Sequence, residues 1–119
     1  MGTFFTEVPL ASPARRDRHE TVKLPVDNGS MYTWVSATRL SDLGVQPTER
    51  RRMLTIEGRT TERAAAEILI TREGRTLHTL CLFGEPGDLE VLGAYTREGF
   101  GLGIDPVQRR LIPAILYGA

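Results

Sequence analysis

The sequence predicts a mostly β domain carrying one or two short helices. Three observations lead there. Twelve glycines and seven prolines are spread through 119 residues, and they punctuate segments of strand length. Val22, Leu24 and Val26 alternate with Thr21, Lys23 and Pro25, the period of two that marks a half-buried strand. Strand-like stretches also flank Glu57-Gly58-Arg59 and Glu73-Gly74-Arg75, as they do in glycine-tipped hairpins.

Each element follows in order. Thr3 to Leu10 mixes aromatic, β-branched and aliphatic residues and is expected to form a first strand. Ala11 to Arg18 is polar and contains proline, so a loop is expected there. The alternating stretch around Val22 ends in Asp27-Asn28-Gly29-Ser30, strong turn chemistry. Tyr32 to Val35 is aromatic and β-branched and reads as a strand, with Trp34 expected in the core first and along a substrate groove second. Ser36 to Leu43 is a helix candidate: Ser36 can cap it, Leu40 and Leu43 share a face, and Gly44 can end it. Arg50, Arg51 and Arg52 read as a solvated stretch before the next strand.

Met53 to Ile56 and Thr60 to Glu67 are expected to pair about Gly58. Ile68 to Thr71 and Thr76 to Phe83 are expected to pair about Gly74. After a loop at Gly84 to Asp88, Val91-Leu92-Gly93 reads as a buried strand end, followed by a short helix from Ala94 to about Glu98. Leu102 to Asp105 and Leu111 to Leu116 make a closing hairpin. Pro113 cannot donate to a ladder, so that last strand is expected at an edge or interface.

Composition narrows the function. The length suits one domain, residues 1–119, with one modest core. A formal net charge of +0 argues against an electrostatic nucleic-acid partner. No apolar run approaches the roughly 20 residues that span a bilayer, and the N-terminus lacks the features of a signal peptide. Cys81 has no second cysteine with which to pair. A cytoplasmic protein with no membrane partner is expected. His19 and His78 have no ligand partners at metal spacing, so no metal and no cofactor are implied.

The segment that carries chemistry is Val22 to Ser30. An apolar strand runs straight into an aspartate, with Gly29 two positions on and Ser30 three. A carboxylate on a tight loop at the end of a buried strand is what aspartic proteolysis needs, and a glycine lets other backbone approach it closely. Asp42-Leu43-Gly44 has the same spacing, but Asp42 follows a polar helix end rather than an apolar strand.

The order of elements resembles that of the retropepsin-like aspartic proteases, in particular their small soluble bacterial-type members. Val26-Asp27-Asn28-Gly29-Ser30 stands where that family has Asp-Thr/Ser-Gly-Ala/Ser. Ile56, Glu57, Gly58 and Arg59 stand in its flap, and Val91, Leu92 and Gly93 in its hydrophobic-hydrophobic-Gly motif. The end, Gly101-Leu102-Gly103-Ile104-Asp105-Pro106 to Pro113, is close to the pattern of the bacterial-type members. The likeness runs from about Phe4 to Pro113. It implies a retropepsin-like acid protease barrel assembled as a two-fold homodimer, with a peptide or protein substrate. Asp27 of each chain would be catalytic, and the two carboxylates would share one proton and activate water. Asn28 replaces the family's Thr or Ser, whose hydroxyl ties the two loops of the dimer together. A weak or inactive module of the same fold, used for dimerisation or peptide binding, is therefore the alternative.

Overall fold

The computed structural model describes residues 4–55, 57–115 and Gly118. It is mostly β, with two short helices. Strand β1, Phe5–Ser12, and strand β2, Arg15–Pro25, form an antiparallel hairpin in register from Phe5 opposite Pro25 to Ala11 opposite His19, with a shift that then sets Ser12 opposite Arg15. The loop expected over Ala11 to Arg18 is therefore a correction: only Pro13 and Ala14 turn the chain. The Ser12 hydroxyl accepts from the Ala14 amide at 3.1 Å to brace that turn. Arg15 to His19 are exposed, yet they belong to β2: His19 pairs with Ala11 and Arg15 with Ser12, with a register shift between the two pairs. A ladder needs a partner strand and not an apolar face, so polarity alone concealed this one. Thr3 lies outside the described residues.

The alternation at Val22, Leu24 and Val26 points inward as predicted, and all three are buried. Strand β3, Thr33–Ser36, leads into helix α1, Ala37–Asp42. The Ser36 hydroxyl accepts from the Arg39 amide at 3.2 Å, Leu40 and Leu43 face the core, and Gly44 takes a φ of +83° at the exit.

Strand β4 spans Glu49–Leu54, β5 Thr60–Arg72 and β6 Arg75–Gly84. Two expectations change here. Arg50, Arg51 and Arg52 lie inside β4 rather than before it. The two predicted hairpins also share one uninterrupted strand, β5, where a break was expected at Glu67 and Ile68. Its first half pairs with β4, while β6 follows it from Ala65 to Arg72. Leu10 and Ala11 of β1 pair opposite Ile70 and Leu69. Glu73 and Gly74 both take positive φ, 50° and 78°, giving the tight two-residue turn that such strands prefer.

The main sheet runs β2-β1-β5-β6-β3, with β4 on the first half of β5 and β3 parallel to β6. Helix α2, Ala94–Gly99, follows residues 91–93. Strands β7, Leu102–Asp105, and β8, Arg110–Pro113, then pair as a separate hairpin. Pro113 lies on a strand whose single described partner is β7, as predicted for an edge. Leu116, the predicted end of that strand, lies outside the described residues. One core gathers Leu10, Leu24, Val35, Leu40, Ile68 and Ile70 with Cys81, whose thiol burial pushes well above its ordinary range. No helix among the described residues is long and apolar enough to cross a membrane.

Ion pairs tie the connections down. Arg39 of α1 bridges Glu20 of β2 at 2.8 Å and Glu90 at 3.2 Å. Arg63 of β5 grips Asp88 with two bonds of 2.8 and 3.1 Å, and Asp88 also accepts from the Glu85 amide at 2.7 Å. The bond from Arg63 is the main reason that the Asp88 carboxyl lies below its usual range. A carboxyl depressed in the folded state adds stability above its unfolded value of about 3.9, and that stability is lost as pH falls through the folded value. Asp88→Asn is therefore expected to lower the urea midpoint at pH 7 and to show a shallower loss below about pH 4 than the parent protein. Equal acid sensitivity of both proteins would mean that this pair does not shape the acid limb.

Candidate functional site

The end of strand β2, where Val22 and Leu24 face the core, delivers Val26 to a bridge with Leu92. The Leu92 amide donates to the Pro25 carbonyl at 2.8 Å, and the Asp27 amide reaches the Leu92 carbonyl at 3.4 Å. Asp27 follows at the point where the strand ends, with its side chain exposed. Its Oδ1 accepts from the Gly29 amide at 2.8 Å, an Asx turn that fixes the carboxylate relative to its own backbone. The Ser30 hydroxyl donates to the Tyr32 carbonyl at 2.8 Å.

Residues 91–93 form a strap under this loop. On one side Leu92 bonds the end of β2. On the other, Val91 and Trp34 exchange two backbone bonds of 3.0 Å. Gly93 then passes the backbone of Tyr32 so closely that an added Cβ would sit 2.3 Å from the Tyr32 carbonyl carbon. Its amide donates to the Thr33 hydroxyl at 3.0 Å. The amides of Ala94 and Tyr95 in turn donate to the carbonyls of Ser30 and Met31, both at 2.8 Å. The loop is thus held at entry by Leu92 and at exit by the first turn of α2.

Behind the strap, three buried threonines form a chain. The Thr33 and Thr96 hydroxyls are 2.7 Å apart, and those of Thr96 and Thr79 are 2.9 Å apart. They lock β3, α2 and β6 together through groups that would be costly to leave unpaired. Arg97 lies beside them. Its Nη1 donates to the Leu102 carbonyl and its Nη2 to Asn28 Oδ1, both at 2.8 Å. Sequence reasoning missed Thr33, Thr79, Thr96 and Arg97.

Across from the loop stands the hairpin of β4 and β5. Thr55 bonds Arg59 and Gly58 through its backbone, and Gly58 takes a φ of +85° at the tip. Ile56, predicted in this turn, lies outside the described residues. Between hairpin and loop opens a cleft of about 390 Å³, lined by Gly29, Ser30, Trp34, Met53 and Thr55 among others. Of the predicted site residues, Gly29 and Ser30 reach its wall. Asp27 and Asn28 are exposed and do not line it, nor do Glu57, Gly58 and Arg59 at the tip.

Of the two places expected for Trp34, the core and the groove, it takes the second: it is half-buried, with one side in the cleft and the Arg63 guanidinium 5.9 Å from its ring centre. A large ring with a polar edge suits a wall that is part wet and part dry. Arg51 reaches the same wall. It donates to the Tyr32 hydroxyl at 3.0 Å and pairs with Glu49 at 2.8 Å. Asp42, in the other Asp-x-Gly sequence, is an exposed residue at the end of α1. His78 bonds Glu67 at 2.9 Å. Among the described residues no three His, Cys, Asp or Glu side chains converge as metal ligands would.

The two glycines of the site are expected to respond differently to alanine. At Gly93 the new methyl meets rigid backbone, so Gly93→Ala should cost at least about 1–3 kcal/mol, read as a lower urea midpoint. At Gly29 the methyl would meet Asp27 Oδ1 at 3.3 Å. Gly29→Ala should therefore fold with nearly parental stability but displace the carboxylate. The assignment of Gly93 to a close crossing fails if both variants have parental midpoints. No protein-family model matches the chain, and no curated protein sequence matches it.

Proposed function

We propose that the chain is one protomer of a retropepsin-like aspartic endopeptidase, active as a two-fold homodimer with Asp27 of each chain at the dyad. One observation carries this reading. An exposed Asp27 carboxylate is held by the Gly29 amide on a loop fastened at both ends, beside a cleft roofed by a Gly58-tipped hairpin. Aspartic proteolysis needs two facing carboxylates, and one chain carries one loop of this build. A two-fold axis supplies the second through an isologous interface.

In that site the ionised carboxylate takes a proton from water, and the protonated one donates a hydrogen bond to the scissile carbonyl. The substrate is a peptide in extended form. Among the described residues β4 is paired with β5 alone, so its other edge is open to β-pairing with such a peptide. Trp34 and Met53 give the cleft an apolar wall for a side chain. No cofactor, nucleic acid or membrane enters this reading, and a cytoplasmic setting fits it.

Asn28 favours a second reading, a dimerisation or peptide-binding module of the same fold with little or no turnover. Its amide is bonded within its own chain rather than left for an opposing loop.

The test is hydrolysis of a diverse peptide library from acidic to neutral pH. Asp27→Asn is expected to cut turnover by about 10²–10⁴-fold while the protein stays folded and its sedimentation stays that of the parent. Equal turnover by the variant would sink the reading. Binding of extended peptides without hydrolysis would select the second. The flap gives an independent check. Amide exchange at Glu57 to Thr60 is expected to be fast and to slow when a peptide-like aspartic-protease inhibitor binds. Equal protection of this turn and of β5–β6 in the free protein would count against a moving roof.

A further inference from the structure

Asn28 marks the departure of this chain from the Thr or Ser expected after the aspartate, and its side chain is already engaged. Arg97, one turn beyond Gly93 on α2, reaches back to it. The Arg97 amide donates to the Gly93 carbonyl at 3.1 Å, so the arginine is anchored on the strap itself. Its side chain is 10% exposed. One arm of the guanidinium donates to the Leu102 carbonyl at 2.8 Å and ties α2 to β7. The other leaves the core and meets the exposed Asn28 at Oδ1, also at 2.8 Å. The same nitrogen also lies 3.7 Å from the carboxylate of Glu98, which is itself half exposed.

A guanidinium stays charged and carries five donors in a rigid fork. Burying it is costly unless those donors find acceptors. Holding α2 to β7 accounts for the bond to Leu102, but it gives no reason for a second arm to reach an exposed loop. That arm makes a charge-assisted bond, about twice as strong as a neutral one, to the residue next to Asp27.

We infer that Arg97 is a positioning residue: by clamping Asn28 it sets the loop that presents Asp27, within a single chain. Its catalytic consequence rests on the peptidase reading; the clamp itself does not. In the resembling family, the side chain at this place joins one protomer's loop to the other's. Here it joins the loop to its own α2, so Asn28 is the partner of Arg97 rather than a misfit in the family pattern.

The experiment reads amide exchange at Gly29 and Ser30, with β5 and β6 as internal reference. Asn28→Ala removes the acceptor at an exposed position where folding is not at stake. Arg97→Met removes the fork and keeps an apolar stem. Exchange at the loop is expected to rise about tenfold or more in both, beyond any change in the reference strands. Asn28→Asp offers Arg97 a carboxylate instead and should keep the loop at parental protection or better.

In peptide turnover, Asn28→Ala should lower kcat with KM little changed, because the loop is loosened and the cleft wall is not. Parental loop protection in Asn28→Ala would overturn the clamp. So would loosening in Arg97→Met that only parallels β5 and β6. A parent protein that turns over no peptide would overturn the peptidase reading instead, and loop exchange would still decide the clamp.

Discussion

Everything at the candidate site depends on one close crossing, that of Gly93 over the backbone of Tyr32 and Thr33. The crossing leaves no space for a side chain, since a Cβ would lie 2.3 Å from one backbone atom and 2.7 Å from the Thr33 nitrogen. Because Gly93 passes there, Leu92 reaches the end of β2 and Val91 reaches Trp34. The same passage aims the first amides of α2 at the carbonyls of Ser30 and Met31. Two stretches far apart in sequence, residues 25–34 and 91–95, thereby fix one another. A larger residue at position 93 would push the strap off the loop, and the bonds on both sides would be lost together.

Around this crossing the polar groups divide into two kinds. The buried ones are hydroxyls and one guanidinium, and each has a near partner: Thr33 with Thr96, Thr96 with Thr79, Arg97 with Leu102 and Asn28. None of the described buried side-chain polar atoms lacks a partner. In a low-dielectric interior such a fully satisfied network rigidifies, because every alternative arrangement leaves a group unpaired. The more exposed ion pairs act differently. Arg39 with Glu20 and Glu90, and Arg63 with Asp88, pin connections that have little apolar surface to hold them. The Arg39 pairs are the more exposed and contribute little each, so they act mainly on where the segments lie, whereas the less exposed, two-bonded Arg63–Asp88 pair also adds to stability.

Much of the fold was legible in the sequence where local chemistry and burial agree. Val22, Leu24 and Val26 read as a strand because one of their faces is buried. Gly58 and Gly74 read as tips because both adopt positive φ. The hairpin of β1 and β2 was not legible, since Arg15 to His19 are exposed and leave no hydrophobic period. The continuity of β5 was hidden too. Ala64 to Ala66 carry no turn signal, but the change of partner from β4 to β6 falls there, and sequence alone suggests two strands where one serves both. At the site, Asp27-Asn28-Gly29-Ser30 and Val91-Leu92-Gly93 could be found as local motifs. Thr79 and Arg97 could not: Thr79 meets Thr96 across 17 residues and Arg97 meets Asn28 across 69. No local spacing encodes contacts of that range. Sequence could not decide between core and groove for Trp34, because its place with Met53 on the cleft wall depends on how the hairpin folds over.

The site combines a loop bonded at both ends with a hairpin whose tip is exposed. The loop is held by backbone bonds at both ends, by its own Asx turn and by Arg97. The roof is a two-stranded ribbon past Ala64, and its outer residues Leu54, Glu57, Gly58 and Arg59 are exposed. That division suits chemistry in which a carboxylate must keep its place while a long substrate enters from the side. Under the proposed two-fold arrangement it matters doubly. Any looseness in one loop is repeated in the other, and the distance between two carboxylates varies with both. A loop set within each chain removes that variation before the chains meet, leaving the interface to supply symmetry alone. Under that proposal Asn28 would suit the two-carboxylate site if the Arg97 guanidinium, bonded to it from behind at 2.8 Å, supplied within each chain the constraint that a hydroxyl would provide across the axis.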